Sequence, residues 1–485
     1  MALGKRKPLQ QPLFISTVDL NIRPHPFYEA VNKVLDSHHF DTFAEDLCAK
    51  FYADEGRPGI PPGVYFRCLL LGYFEGIDSE RGIDWRCNDS NSLKLFLGVP
   101  CNKPAPDHST LSRTRRLIDL ETHGEVFKHV LKILANHGLI DGKTVGVDST
   151  TLEANAAMRS IVRRDTGEGY QEFLTKLARE SGIETPTRED LAKLDKTRKN
   201  KASNEDWENP HDPDAKITKM KDGTTHLAHK AEHAVDMGEK GHGAILAVNV
   251  CDAAVGDTAT LVDTVLMTTE NLAALKDDDR VADKVNDAFM EETVLDKGYH
   301  SKQTLLDLDE MNVRSYASEP KRGRQDWDGQ ADAQKAVYAN RRRVEGERGK
   351  KLLRSRGEKL ERTFAHCYET GAMRHLYLRK RENIAKRVLI HAAGCNIGIM
   401  MRVKYGLRKP RSHSAGLFAI FFSLWSPLQM RTRTIGAILR DVSKIRHLFS
   451  IFPALCRRPA PVRGRVGNFD FNHGLLGRVR CAETA

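Results

Sequence analysis

Three acidic residues stand where an α/β chain tends to build its sites. Asp148 closes the β-branched run Val145-Gly146-Val147, Asp296 closes Thr293-Val294-Leu295, and Glu361 lies in a late helical stretch. In such sheets, ligands gather outside the carboxyl ends of the strands. Carboxylates brought together repel each other unless a cation is shared between them. Two Mg²⁺ ions held about 3.5–4 Å apart meet that need, activating a water or a 3′-hydroxyl on one side of a phosphodiester and stabilising the leaving oxygen on the other. Oxygen ligands suit Mg²⁺, and Mn²⁺ accepts the same set. Spacing by itself selects little, because the chain holds 65 Asp and Glu, and an acid after a strand more often caps a helix.

Placing these acids requires strands interleaved with helices. Residues 142–150 read as a short strand, 224–235 and 244–250 as two more separated by Gly238, Gly241 and Gly243, and 292–296 and 313–316 as later ones. A helix is expected over 257–275, and another from 361 to 402. Residues 24–140 read as a helical domain. Its apolar runs Val64-Tyr65-Phe66-Arg67-Cys68-Leu69-Leu70-Leu71 and Val126-Phe127-Lys128-His129-Val130-Leu131 recur at helical spacing. Between them, Pro104-Ala105-Pro106-Asp107-His108-Ser109-Thr110 offers a polar cap for a helix carrying Arg113, Arg115 and Arg116. Such a helix suits either DNA or ordinary helix packing. The organisation expected is an extension over 1–23, the helical domain over 24–140 and an α/β domain over 141–405. The last carries a helical insert at about 159–222 and a charged segment at about 319–360, and a basic tail follows over 406–485.

The net charge of +11 is unevenly spread. Residues 1–300 carry 38 Lys and Arg against 49 Asp and Glu, whereas 301–485 carry 38 against 16. A cationic half attracts polyanions, because neutralised phosphates release condensed counterions. Nucleic acid is the first partner this implies, an anionic membrane surface the second, and a solvated basic face the plain alternative. Cysteines at 48, 68, 87, 101, 251, 367, 395, 456 and 481 form no C-x-x-C, which argues against a disulfide framework or structural zinc and for a reducing cytoplasm. The apolar stretch 415–428 is too short to span a bilayer and reads as a buried or interfacial helix, so a soluble protein is expected.

The motifs have a wider context. Val147-Asp148-Ser149-Thr150 and Leu295-Asp296-Lys297-Gly298-Tyr299-His300-Ser301 resemble the first two acid motifs of bacterial insertion-sequence transposases of the DDE type. His226-Leu227-Ala228-His229-Lys230-Ala231-Glu232-His233 is similar to that family's second strand, and Asp252 with Gly256-Asp257-Thr258 to the turn after its third. Glu361-Arg362-Thr363-Phe364-Ala365-His366, followed by the basic block from Leu378 to Arg387, resembles its glutamate helix. Pro106-Asp107-His108-Ser109-Thr110-Leu111-Ser112-Arg113 resembles the end of the helical domain before the catalytic core.

The resemblance spans about residues 25–405. It implies an RNase H-like mixed sheet with flanking helices behind an all-helical N-terminal domain, in which Asp148, Asp296 and Glu361 bind two Mg²⁺ ions. The implied activity is cleavage at transposon ends followed by strand transfer into target DNA, performed by a homodimer on double-stranded DNA. Arg113, Arg115, Arg116, Lys297, Arg362, Arg379, Lys380, Lys386 and Arg387 are the implied DNA contacts. The chain departs from related transposases that carry an Arg and a Lys at fixed spacings from the glutamate, since Gly357 and Tyr368 stand there. Two other readings stay open: a transposase-derived DNA-binding protein without catalysis, and a nuclease of the same fold. Other motifs fall away. Gly142-Lys143-Thr144 lacks the earlier glycine of a phosphate loop, with His137 in its place. His226, His229 and His233 lie on one strand, where residues four apart are separated by about 13 Å, too far to share an ion.

Overall fold

The computed structural model describes residues 4–5 and 23–410 apart from 199–201, 221–222, 288, 322 and 324. The apolar stretch 415–428 and most of the basic tail lie outside the described residues.

The chain opens with helices α1 (Pro26–Ser37), α2 (Phe40–Cys48), α3 (Pro62–Glu75), α4 (Glu80–Asn88), α5 (Asn91–Leu97), α6 (His108–Leu117) and α7 (Leu120–Asn136). Helix α3 starts on Pro62, whose missing N–H costs nothing in the first turn, and stops at Gly76 in the left-handed region (φ 62°). It is buried along its whole length, Arg67 included. That guanidinium is answered by Asp41 through two hydrogen bonds of 2.9 and 2.8 Å and by Asp36 at 3.0 Å, which offsets the desolvation of the charge. Helix α6 is capped by Asp107, whose carboxylate accepts the backbone N–H groups of Ser109 (2.9 Å) and Thr110 (3.1 Å), as the polar run after two prolines predicted.

Next come β1 (Thr144–Glu153), β2 (Val162–Arg163), α8 (Tyr170–Glu180), α9 (Arg188–Thr197), β3 (Trp207–Glu208), β4 (Lys216–Lys219), β5 (Thr225–Asp236), β6 (Ile245–Asp252), α10 (Asp257–Lys276) and β7 (Glu292–Leu295). The described chain finishes with α11 (Lys302–Glu310), β8 (Arg314–Ala317), α12 (Ala331–Glu345), α13 (Glu347–Phe364) and α14 (Arg381–Tyr405). The fold is therefore mixed α/β with a helical N-terminal region. Its six-stranded sheet has β1 at the centre, antiparallel to β5 and parallel to β7. β8 continues parallel to β7, while β6 and β4 share the far edge of β5. The insert over 159–222 holds α8 and α9, as its charged composition suggested, together with the two-stranded β2–β3 ribbon and β4.

Alternation along the strands divides the sheet's two faces. Val145, Val147 and Leu295 face a core shared with Leu261, Val265 and Leu272 of α10. Val235, Met237, Val294 and Tyr316 face Leu360 of α13. Gly146 lies under Leu360, and a Cβ there would come within 2.6 Å of both Leu360 Cδ1 and Met237 Sδ. The absent side chain lets α13 approach the centre of β1.

One expectation needs correction. Residues 361–402 do not form a single helix, because α13 passes at Phe364 into a π-helical turn over Ala365–Glu369 and α14 begins only at Arg381. Between them Ala372 (φ 59°) and Lys380 (φ 70°) take left-handed backbone, and the segment binds the end of β1. There Glu153 N–H donates to Arg374 O (3.0 Å) and Leu376 N–H to Glu153 O (2.9 Å). Helix α14 is long and apolar enough to cross a membrane by length and composition, yet 89% of its apolar window is buried inside this fold. It packs on α3, α7 and β6 as a core helix.

Candidate active site

Parallel pairing sets Val147 opposite Leu295, so Asp148, midway along β1 where its pairing with β7 stops, and Asp296, just past the end of β7, emerge side by side. Both lie on the face that α13 covers. Asp148 Oδ1 accepts the Ser149 N–H at 2.8 Å, and Oδ2 accepts Arg356 Nη1 at 2.8 Å. The other nitrogen of that guanidinium, Nη2, stands 3.6 Å from Asp296 Oδ1. Arg356 thus spans the two carboxylates. Burial pushes the Asp148 carboxyl above its usual range, while Arg356 and the Ser149 N–H pull it back. Asp296 is the more open of the pair, with 46% of its side chain exposed against 25% for Asp148.

The loop after Asp296 is held from behind the sheet. Tyr299 is buried and donates its hydroxyl to Glu232 Oε1 at 2.7 Å. Glu232 also accepts Thr260 Oγ1 at 2.9 Å and Thr264 Oγ1, and burial raises its carboxyl despite these bonds. Asp257, at the start of α10, accepts Ser149 Oγ at 2.9 Å and Lys230 Nζ at 3.2 Å. The residues flanking both acids are therefore anchored, with Ser149 tied to α10 and Tyr299 to β5. Further along the α13 face of β1, Arg374 Nη1 donates to Thr150 Oγ1 at 2.9 Å.

Glu361 does not join this pair. It is exposed on α13, five residues beyond Arg356. At about 100° per residue its side chain points roughly 140° away from that of Arg356 around the helix. Among the described residues no group of three or more His, Cys, Asp and Glu is gathered that could hold a metal ion. The pair itself fits a shared hard cation, with oxygen donors on both sides and a guanidinium already standing between them. The third carboxylate is not in place.

The basic residues divide between surface and interior. Arg113, Arg116, Lys297, Arg362, Arg379 and Lys380 are exposed. Arg362 pairs with Glu358 at 2.5 Å, and Arg379 Nε donates to Asn155 O at 3.1 Å. Arg115, Lys386 and Arg387 are turned inward, which does not suit the expected contact with DNA phosphates. Arg115 is buried against Glu80 of α4. Lys386 Nζ binds Arg115 O at 3.3 Å and Glu382 Oε1 at 2.6 Å. Arg387 Nη2 binds Ile77 O at 3.1 Å and lies where a Cβ on Gly72 would stand. Burial lowers the Arg387 pKa to about 10. These three side chains fasten α14 to the N-terminal helices.

The three histidines of β5 separate as strand geometry required. His226 meets Glu153 (3.2 Å), His229 meets Asp212 (3.0 Å) and His233 meets Tyr368 (2.6 Å). Arg356, Glu232, Lys230 and Arg374 were not anticipated as part of the site. For Arg356 the available signal was its spacing four residues before Leu360, which puts it on the buried face of a helix.

Residues 17–117 match the model of a transposase domain (DUF772), which supports a transposase family and a transposase role for the chain. The described part of that match covers α1 to α6, ending at the exposed arginines of α6. No curated protein and no solved structure matches the chain.

Proposed function

We propose that this chain is a transposase of the DDE type, with an RNase H-like core that cleaves double-stranded DNA at transposon ends and joins the freed ends to target DNA. The observation that carries the reading is the pair Asp148 and Asp296, side by side where the parallel pairing of β1 with β7 stops, with positive charge shared between them. The transposase-domain match over residues 17–117 supports it independently. In this proposal Asp148 and Asp296 hold Mg²⁺, with Mn²⁺ as a substitute. The metal supplies an activated oxygen nucleophile and stabilises the leaving oxygen. Glu361 is assigned the third carboxylate, and its joining the pair requires the end of α13 to turn or shift. Arg113, Arg116, Lys297, Arg362, Arg379 and Lys380 bind phosphates along the duplex and position it, and a homodimer brings two ends together.

The test compares Asp148→Asn, Asp296→Asn and Glu361→Gln with the wild-type protein on end-containing DNA in Mg²⁺. Loss of cleavage and joining with DNA binding retained is the expected result. Wild-type cleavage by any variant removes that residue from the site. The position of Glu361 favours a second reading, a transposase-derived DNA-binding protein without catalysis. It predicts binding that weakens steeply with salt and no cleavage in either metal.

A further inference from the structure

We infer that Arg356 is a positioning residue that occupies the cation place between Asp148 and Asp296, so that a divalent ion enters only by displacing it. This inference rests on the metal-binding reading of the acid pair. The geometry has three parts. The guanidinium reaches both carboxylates, at 2.8 Å from Asp148 Oδ2 and 3.6 Å from Asp296 Oδ1, as one cation shared by two acids must. The backbone of α13 is fixed close by, because Leu360, one turn further on, is fully buried against Gly146 of the same strand. The side chain itself is only 16% exposed and ends at the more open Asp296.

Two acids so placed repel each other when no cation lies between them, and the arginine removes that repulsion in the metal-free protein. A doubly charged ion competes for the same oxygens, and one positive charge at this range opposes another strongly in a partly desolvated place. Arg356 thus stabilises the metal-free state and weakens metal binding together. Lys359, three residues further along the same helix, is committed to the carbonyls of Met237 (2.6 Å) and Gly238 (3.1 Å) and does not replace it.

The experiment is a Mn²⁺ titration of the full chain, with free Mn²⁺ read by electron paramagnetic resonance. Thermal unfolding is followed with and without Mn²⁺. Wild type, Arg356→Gln, Asp148→Asn and the double variant are compared. Arg356→Gln is expected to bind Mn²⁺ about tenfold or more tighter than wild type, a change of about 1.4 kcal/mol or more. It is also expected to unfold earlier without metal and to gain more from Mn²⁺. Asp148→Asn in the same background abolishes both effects. Arg356→Met, which keeps the side-chain bulk, repeats the measurement if the glutamine variant fails to fold. Equal Mn²⁺ affinity in wild type and Arg356→Gln, with loss in Asp148→Asn, overturns the role of Arg356 and leaves the metal reading standing. No binding by Arg356→Gln at millimolar Mn²⁺ overturns both.

Discussion

The close approach of α13 to β1 can be tested by a double-mutant cycle between Gly146 and Leu360. Leu360 is fully buried among Val235, Met237, Val294 and Tyr316. Truncating a buried leucine to alanine costs about 2–5 kcal/mol. The middle of that range, about 3 kcal/mol, is expected here because a strand backbone forms one wall and cannot collapse inward. A Cβ on Gly146 would come within 2.6 Å of Leu360 Cδ1 and Met237 Sδ. Overpacking of this kind costs about 1–3 kcal/mol, and both obstacles are ends of flexible side chains, so about 2 kcal/mol is expected for Gly146→Ala. In Leu360→Ala the first obstacle is gone, Met237 has room to swing, and the new methyl group fills part of the cavity. The double variant is then expected to cost about 3 kcal/mol rather than the sum of about 5, a coupling of about 2 kcal/mol. Urea unfolding of the four proteins, followed by far-ultraviolet circular dichroism, gives the cycle. Effects additive to within about 0.5 kcal/mol would refute the packing and, with it, the position assigned to Arg356 over Asp148.

The arginines of α6 should separate cleanly. Arg113→Ala with Arg116→Ala is expected to weaken DNA binding and reduce the salt dependence by roughly one unit of log–log slope per arginine, with stability unchanged. Arg115→Ala is expected to destabilise the fold by about 3 kcal/mol instead, because the buried arginine's packing is lost and the half-buried Glu80 is left without its partner. A pH titration of stability tests the buried histidines. Burial lowers the pKa of His123 from 6.5 to about 4 and that of His233 to about 3. Above pH 6.5 both states are neutral. Below it the unfolded chain takes up protons that the native chain refuses, so stability falls with pH until the native groups titrate. For His123 this amounts to about 3 kcal/mol. Unfolding free energies measured at pH 7 and pH 5 that are equal, or higher at pH 5, would contradict the burial of these rings.

Where local pattern and long-range packing agree, the sequence was readable. The β-branched runs before Asp148 and Asp296 became adjacent strands, and the acids lie beside each other because parallel register sets Val147 opposite Leu295, although β1 runs on past Asp148 to Glu153 against β5. The break between Glu369 and Arg381 was not readable. Cys367 and Tyr368 are buried and continue the helical spacing, while the signals that end the helix, left-handed Ala372 and the bonds to Glu153, belong to the tertiary structure. Charge was also misleading at Arg115, Lys386 and Arg387. A basic residue in a basic run reads as solvated, and only partners far away in sequence, such as Glu80 and the Ile77 carbonyl, decide otherwise. Arg356 was hidden for the same reason, its partner Asp148 lying 208 residues earlier.

These inward-facing cations also relate the N-terminal helices to the acid pair. The core that begins with Phe27 and Val31 of α1 runs without interruption through Val130 and Leu134 of α7 to Ile390 and Ile397 of α14 and Ala247 of β6. Helix α6 exposes Arg113 and Arg116 on one side and gives the Arg115 carbonyl to Lys386 of α14 on the other. The segment leading into α14 is bonded to Glu153 at the end of β1, the strand that carries Asp148. The exposed arginines of α6 and the acid pair are thus built on one continuous packed body. Packed interiors transmit strain and deform little. In the proposed reading the arginines of α6 and the acid pair therefore keep a relation fixed by the fold, and the remaining adjustment falls to α13, where Arg356 and Glu361 stand on different sides of one helix.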